Sequence, residues 1–396
     1  MKKFGIGFLA LAMALVFVAA MTTGSYAQAK KEEPAKGPKK VEKFGEDPRV
    51  KEFKGKKWET STKKFTWRAS DPWGGLLFHD FLIHFADSVR ACSGGRLDIK
   101  VFQTGAIVPA MEVFDAVSKG TLDVGHSWPG YWKGKNEAFV AYASVPFGLD
   151  TEGYNIWNYE RGGEKMLSEL YGRFGMVAFI CGTAGQELGI HSNKRAVKME
   201  DFKGMKLRTV GWYQDILNQL GANVTPLPGP EIYLALERGV IDGCEFSSPA
   251  LNYPQGYHEI TKYVIEPGVH QPAVQFDVFI NKKKWEELPP DLQEIVKICA
   301  KETTFWSWNW IENLNVEAIE KMSKRVEYVR MDDKTIIEFA KTSKKYLDDL
   351  SAKNPDVKKA LESQDKLKTD LAPWRKMRSG VAPWPYEQFI KGELYH

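Results

Sequence analysis

Phe65-Thr66-Trp67-Arg68-Ala69, the helically spaced run Leu76 to Val89, and Leu97-Asp98-Ile99-Lys100-Val101-Phe102 decide the fold class of this chain. The first and third runs alternate apolar and polar residues, which is the period of a strand. Between them, apolar residues recur at the period of a helix, and Gly94-Gly95 stops it. A second helix over Val113 to Ser118 ends at Gly120, and Leu122-Asp123-Val124-Gly125 reads as a third strand. Strand, helix, strand, helix, strand predicts a βαβ sheet with helices on both faces.

A similar cycle restarts near Gly175. Strands are expected over Met176 to Cys181, Met205 to Thr209, Val224 to Pro226 and Ile241 to Phe246, with helices over Trp212 to Leu220 and Glu231 to Gly239. Ala273 to Ile280 is a further apolar strand able to return to the first sheet. Leu292 to Val326 contains no Pro or Gly and reads as one long helix. No 20–50-residue period repeats, which excludes a solenoid. The expected fold is α/β, with two lobes, a ligand cleft between them at the carboxyl ends of strands, and a long C-terminal helix. The expected division is a signal segment over 1–27, a flexible leader over 28–63, and a first lobe over 64–182 completed by about 272–311. A second lobe covers 183–271 with about 312–353, and 354–396 form a C-terminal extension.

Met1-Lys2-Lys3, the apolar run Phe8 to Ala20 and the ending Ser25-Tyr26-Ala27 have the form of an export signal cleaved before Gln28. The apolar run is shorter than the roughly 20 residues that a membrane-spanning helix needs. Residues 28–63 are rich in Lys, Glu, Pro and Gly and offer too little apolar surface to order themselves. A net charge of +4 is too weak and too dispersed for a nucleic-acid partner. Cys92, Cys181, Cys244 and Cys299 form no C-x-x-C and are expected as free thiols on apolar elements.

Two residues carry the chemistry. Arg208 ends one predicted strand, where its planar guanidinium can clamp a carboxylate through two oxygens. Glu245 ends another, where a carboxylate can hold a cation or close a pocket. Together they suggest capture of a small organic anion. Signals for catalysis are thin. His258-Glu259-Ile260-Thr261-Lys262 begins like H-E-x-x-H but places Lys262 where the second His is needed. His79 and His84 are five apart, off the shared helical face. No G-x-S-x-G or P-loop lysine motif is present.

Several ordered motifs extend this reading. They are His126-Ser127-Trp128-Pro129-Gly130-Tyr131-Trp132, Val145-Pro146-Phe147-Gly148-Leu149 and Gly182-Thr183-Ala184-Gly185-Gln186-Glu187-Leu188-Gly189. The Arg208 strand, Glu231-Ile232-Tyr233, Ile241 to Phe246 and Pro267-Gly268-Val269-His270-Gln271 complete the set. From about residue 64 to beyond 320 the chain resembles the solute-binding proteins of TRAP (tripartite ATP-independent periplasmic) transporters. It is most similar to the branch that binds 2-oxo acids and lactate with a metal ion.

The resemblance implies a periplasmic, non-enzymatic receptor that captures a small monocarboxylate by lobe closure and delivers it to membrane permease subunits. Arg208 would bind the carboxylate. Gln186, Glu245, the Phe246 carbonyl and Gln271 would surround a cation, Ca²⁺ or Na⁺, with Gln186, Phe246 and Gln271 also meeting the substrate. Position 271 is Glu in some relatives, so Gln271 removes a charge there. Tyr131 and Trp132 would bring aromatic groups to the ligand, with Trp73 and Trp212 as weaker cases. The resemblance also implies a homodimer built through the C-terminal segment, whose Trp374, Trp384, Tyr386 and Phe389 would otherwise be an exposed apolar load. The alternative for that segment is a brace across its own two lobes. Two other functions stay open at this level, an exported sensor for a membrane receptor and a secreted metal-dependent hydrolase.

Overall fold

The structure, a computed structural model, describes residues 61–378. The export signal, nearly all of the leader, and Trp384, Tyr386 and Phe389 of the tail lie outside the described residues. In chain order the strands are β1 (Phe65–Ser70), β2 (Leu97–Val101), β3 (Val124–Ser127), β4 (Met176–Gly185), β5 (Ile190–Ser192) and β6 (Lys206–Arg208). They continue as β7 (Asn223–Val224), β8 (Gly243–Cys244), β9 (Tyr263–Glu266), β10 (Val274–Asn281) and β11 (Glu327–Arg330). They form two sheets, ordered β2-β1-β3-β10-β4 and β11-β9-β5-β8-β6-β7. The fold is α/β with two lobes, as expected.

In the first sheet β1 pairs parallel with β2 and β3. β10 returns from the second half of the chain and pairs antiparallel between β3 and β4. All eight of its residues, Val274 to Asn281, are buried, the polar Gln275, Asp277 and Asn281 among them, as a strand between two others and covered on both faces requires. The outer edge of β4 is closed by side chains. Ser168 Oγ accepts from Ala178 N at 3.1 Å and Glu164 Oε2 from Ile180 N at 2.9 Å. Thr304 Oγ1 and Ser307 Oγ accept from Gly182 N and Thr183 N, each at 3.0 Å. These helix-borne oxygens satisfy the strand's outward N–H groups and deny the edge to another chain.

The major helices are α1 (Leu77–Cys92), α2 (Val113–Lys119), α3 (Phe139–Ala143), α4 (Thr151–Glu160), α5 (Gly163–Gly172) and α6 (Gly211–Gln219). They continue as α7 (Ile232–Glu237), α8 (Pro290–Met322), α9 (Asp333–Lys353) and α10 (Pro355–Arg378). α8 starts on Pro290, whose missing N–H costs nothing in a first turn. Its end differs from the expected Val326. The helix stops at Met322, because Glu327–Arg330 leave it to pair in parallel with Tyr263–Glu266 of β9. β5, β9 and β11 are three or four residues long, too short to show a period in sequence.

α9 and α10 pack on the chain's own two lobes. Phe339 of α9 meets Phe202 and Tyr213, and Tyr346 OH donates to Asp215. Along α10, Ser363 Oγ accepts from Trp157 Nε1 at 3.0 Å, and Gln364 Nε2 donates to the Ala141 carbonyl at 2.8 Å. Val357, Ala360 and Leu367 are buried in this contact. Asp356 takes both arms of Arg173. These described helices therefore make the brace, while Trp374 and Met377 at the end of α10 remain 54% and 73% exposed. Cys181, Cys244 and Cys299 are buried free thiols as expected, but Cys92 is exposed.

Candidate functional site

Three loops converge where strands of both sheets end. Glu187 N donates to the Gln271 carbonyl at 3.1 Å, and Leu188 N to the Ser247 carbonyl at 3.2 Å. Gly268 permits this approach, since a Cβ there would stand 2.2 Å from the Glu187 carbonyl oxygen. The 186–189, 245–248 and 266–271 segments are thereby fixed to one another through main chain.

Arg208 is 1% exposed at the end of β6. Its Nε donates to the Leu227 carbonyl at 3.0 Å. Its Nη1 donates to the Glu245 carbonyl at 2.8 Å and to Glu245 Oε1 at 3.2 Å. Phe246 lies under the guanidinium, 5.7 Å from ring centre to Cζ. Glu245 is fully buried and also accepts from Val210 N at 3.2 Å. Burial opposes its charge, but the Arg208 cation and the nearby His270 imidazole hold the carboxyl well below the usual range.

His270 Nε2 sits 3.1 Å from Glu187 Oε2 and 3.6 Å from Glu245 Oε2. Burial disfavours the imidazolium, and its hydrogen bond to Glu187 and the nearby Glu245 carboxylate outweigh that and raise its pKa. The Tyr213 ring stacks on the imidazole at 4.6 Å. Glu187, Glu245 and His270 offer ligand atoms within 4.8 Å of one another. Glu245 Oε2 and Gln271 Oε1 are buried without hydrogen-bond partners. Orphaned buried acceptors beside two carboxylates are costly unless a cation or donor meets them. This oxygen-rich set fits a hard cation such as Na⁺ or Ca²⁺.

A small inner cavity of about 20 Å³ is lined by Glu187, Arg208, Phe246 and Gln271, with aromatic walls from Trp73, Phe78, Trp128, Tyr131 and Phe276. Tyr131 OH accepts from Trp73 Nε1 at 3.3 Å. Trp128 folds over Gly130, where a Cβ would stand 2.1 Å from the indole ring.

Of the residues singled out in the sequence, Arg208, Glu245, Phe246, Gln271, Tyr131 and Trp73 come together here. Gln186 does not. It is exposed, and its neighbour Glu187 is the buried residue that enters the cavity. Gln186 lies one residue past β4, where Gly185 takes a positive φ of 72° and the chain turns, so the match to the family's motif is one residue out of step with the buried position. Trp132 also turns away, 3% exposed, to pack against Phe114 and Phe279 in the core. The turn Pro129–Gly134 points the adjacent Tyr131 and Trp132 side chains in different directions. Trp212 is buried elsewhere, donating from Nε1 to Glu137 at 3.0 Å. Glu187, His270 and Trp128 went unassigned as site residues, although all three lie within the quoted motifs.

Residues 74–354 match the model of the family described as bacterial extracellular solute-binding protein, family 7. A monocarboxylate 2-oxoacid-binding periplasmic protein of Nostoc sp. is 35% identical over 237 residues, covering 60% of this chain and 65% of that protein, a little under two thirds of its length. A TRAP transporter solute-binding protein of Bordetella bronchiseptica, a mixed-occupancy dimer with copurified calcium and picolinate, superposes with a TM-score of 0.78 at 27% identity. That superposition covers 81% of this chain and 96% of the other. A TRAP periplasmic solute-binding protein of Pseudoalteromonas atlantica, with bound sodium and pyruvate, gives 0.77 at 29% identity, covering 81% and 98%. Among the described residues no helix is long and apolar enough to cross a membrane. The family is one of periplasmic transport receptors rather than enzymes, and by the match over most of its length this chain belongs to it, as a TRAP solute-binding protein of the DctP type.

Proposed function

We propose that this chain captures a small monocarboxylate, a 2-oxo or 2-hydroxy acid, together with a metal ion and hands it to TRAP membrane permease subunits. The observation that carries this reading is the fully buried Arg208 beside buried Glu245, with neither Glu245 Oε2 nor Gln271 Oε1 hydrogen-bonded. Nε and Nη1 of Arg208 are engaged by the protein, which leaves Nη2 to receive the ligand carboxylate. Glu187, Glu245, Gln271 and the Phe246 carbonyl would hold the cation, which when bound supplies positive charge to the ligand oxygens. Glu187 places a second carboxyl beside Glu245, where Gln271 supplies only an amide oxygen. The Trp73, Phe78 and Phe276 walls exclude water and strengthen each of these contacts.

Binding is by lobe closure, and no bond in the ligand is made or broken. The protein is exported, with cleavage near Ala27, and works in the periplasm. Calorimetric titration of the mature protein with pyruvate and lactate tests the reading, run with calcium, with sodium and after chelation in sodium-free buffer. Binding is expected with at least one of the two ions. Absence of binding by every small 2-oxo and 2-hydroxy acid under both ions would refute it.

A further inference from the structure

α1 and α8 run antiparallel against each other, and their contacts climb one helix as they descend the other. The His84 ring stacks on Trp306 at 3.8 Å. His84 Nε2 lies 2.9 Å from Glu302 Oε2, and one turn on Ser88 Oγ donates to the same oxygen at 3.4 Å. Past the end of α1, Arg96 Nη1 donates to Asp291 Oδ2 at 2.6 Å, in the first turn of α8. Cys92 and Cys299 fall between these contacts, one turn beyond Ser88 and one turn before Glu302, on the facing rows of the two helices. The two thiols are hydrogen-bonding neighbours. Cys92 is exposed, whereas Cys299 is buried in one apolar cluster with Val89, Val296 and Ala300. Cys181 also neighbours Cys299, but it is fully buried and its thiol hydrogen-bonds Thr303.

We propose that Cys92 and Cys299 close into a disulfide when the protein meets a disulfide oxidant, as an exported chain does, and that the bond clasps α1 to α8. The exposed Cys92 thiolate attacks one sulfur of the oxidant, forming a mixed disulfide and releasing a first thiol, which takes up the proton that Cys92 gave up. Cys299 then attacks the Cys92 sulfur, its proton passing to the second departing thiol. The two cysteines lose two electrons and two protons, and the oxidant gains both. Burial pushes the Cys299 thiol up to about 12, so Cys92 reacts first. The clasp secures the helix whose Thr304 and Ser307 close the edge of β4. Neither cysteine lines the inner cavity, so the clasp stands or falls apart from the ligand reading.

The test uses the mature protein, reduced, folded and then incubated with oxidised glutathione. Alkylation in denaturant should modify Cys181 and Cys244 alone before reduction, and Cys92 and Cys299 as well after it. Tryptic digestion should yield Ala91–Arg96 joined to Ile298–Lys301, lighter by two hydrogens than the separate peptides. The bond closes a loop of roughly two hundred residues, so reductant should lower Tm by at least about 5 °C. Cys92→Ser, at an exposed position, should fold, give no linked peptide and melt alike with and without reductant. A Cys92 that stays free or keeps a glutathione adduct, a bond from Cys92 to Cys181 or to a second chain, or a wild-type Tm that reductant does not move would overturn the clasp.

Discussion

Arg208→Lys separates the two tasks assigned to this side chain. The guanidinium makes three hydrogen bonds, at 3.0 Å to Leu227 O, 2.8 Å to Glu245 O and 3.2 Å to Glu245 Oε1. A lysine ammonium keeps the charge next to Glu245 but cannot span both sides of the cleft wall. Loss of two charge-assisted bonds at about 1.5–3 kcal/mol each, eased by relaxation, gives a destabilisation of about 3 kcal/mol. In a chain this size that lowers Tm by roughly 6 °C, at the small end of the usual range. The ligand loses the Nη2 donor as well, a charge-assisted bond, for which an affinity loss of about 100-fold, or about 2.7 kcal/mol, is expected. Circular dichroism melts give the first number and calorimetric titration with the best 2-oxo acid gives the second. Affinity within about threefold of wild type, in a protein that melts as wild type, would remove Arg208 from the site and undo the reasoning behind both figures.

Glu187→Gln should weaken cation-dependent binding at least about tenfold, as a lost charge-assisted ligand implies, while Gln186→Ala stays near wild type; the reverse pattern would reinstate the assignment made from sequence. Glu245→Ala should abolish binding and cost about 3–5 kcal/mol, because Arg208 is left buried and unpaired; unchanged affinity after chelation in sodium-free buffer would show that no metal takes part. Glu164 predicts a pH effect. Burial raises its carboxyl from 4.5 to about 7, against the Ile180 N–H bond that favours its ionised form. The folded state thus holds the proton more tightly than the unfolded chain, so stability falls by about 3 kcal/mol as pH rises from about 4.5 through 7 and then levels off. Glu164→Gln should flatten denaturant midpoints across that window, and an unchanged slope would refute the assignment. A homodimer through the tail predicts a dimer mass by light scattering at micromolar concentration. Deletion should begin after Arg378, because an earlier cut strips α10 from Trp157 and Ala141; a monomer mass before and after that deletion excludes the dimer.

Much of this was legible in the chain itself. The alternation in Phe65–Ala69 and Leu97–Phe102, the helical spacing between them, and the return of Ala273–Ile280 follow from local period, and the structure keeps all of them. Arg208 and Glu245 were legible through the ordered motifs around them that resemble the TRAP solute-binding proteins, since a strand-end arginine alone is as readily a surface ion pair. Chain order could not decide Gln186 against Glu187, or Tyr131 against Trp132. In each case adjacent residues on a turn point in different directions, and which of them faces the cavity is set by contacts distant in sequence, the Glu187–Gln271 main-chain bond for one and the packing of Trp132 on Phe114 and Phe279 for the other. β11 is a strand only because β9 lies beside it, and α8 ends where that pairing begins. His270 becomes a partner of two carboxylates only when three loops are tied together by main-chain bonds. Local period thus determined the elements, and the motif resemblance pointed to the two charged anchors. Which neighbouring side chains face the cavity was decided by packing that no single segment contains.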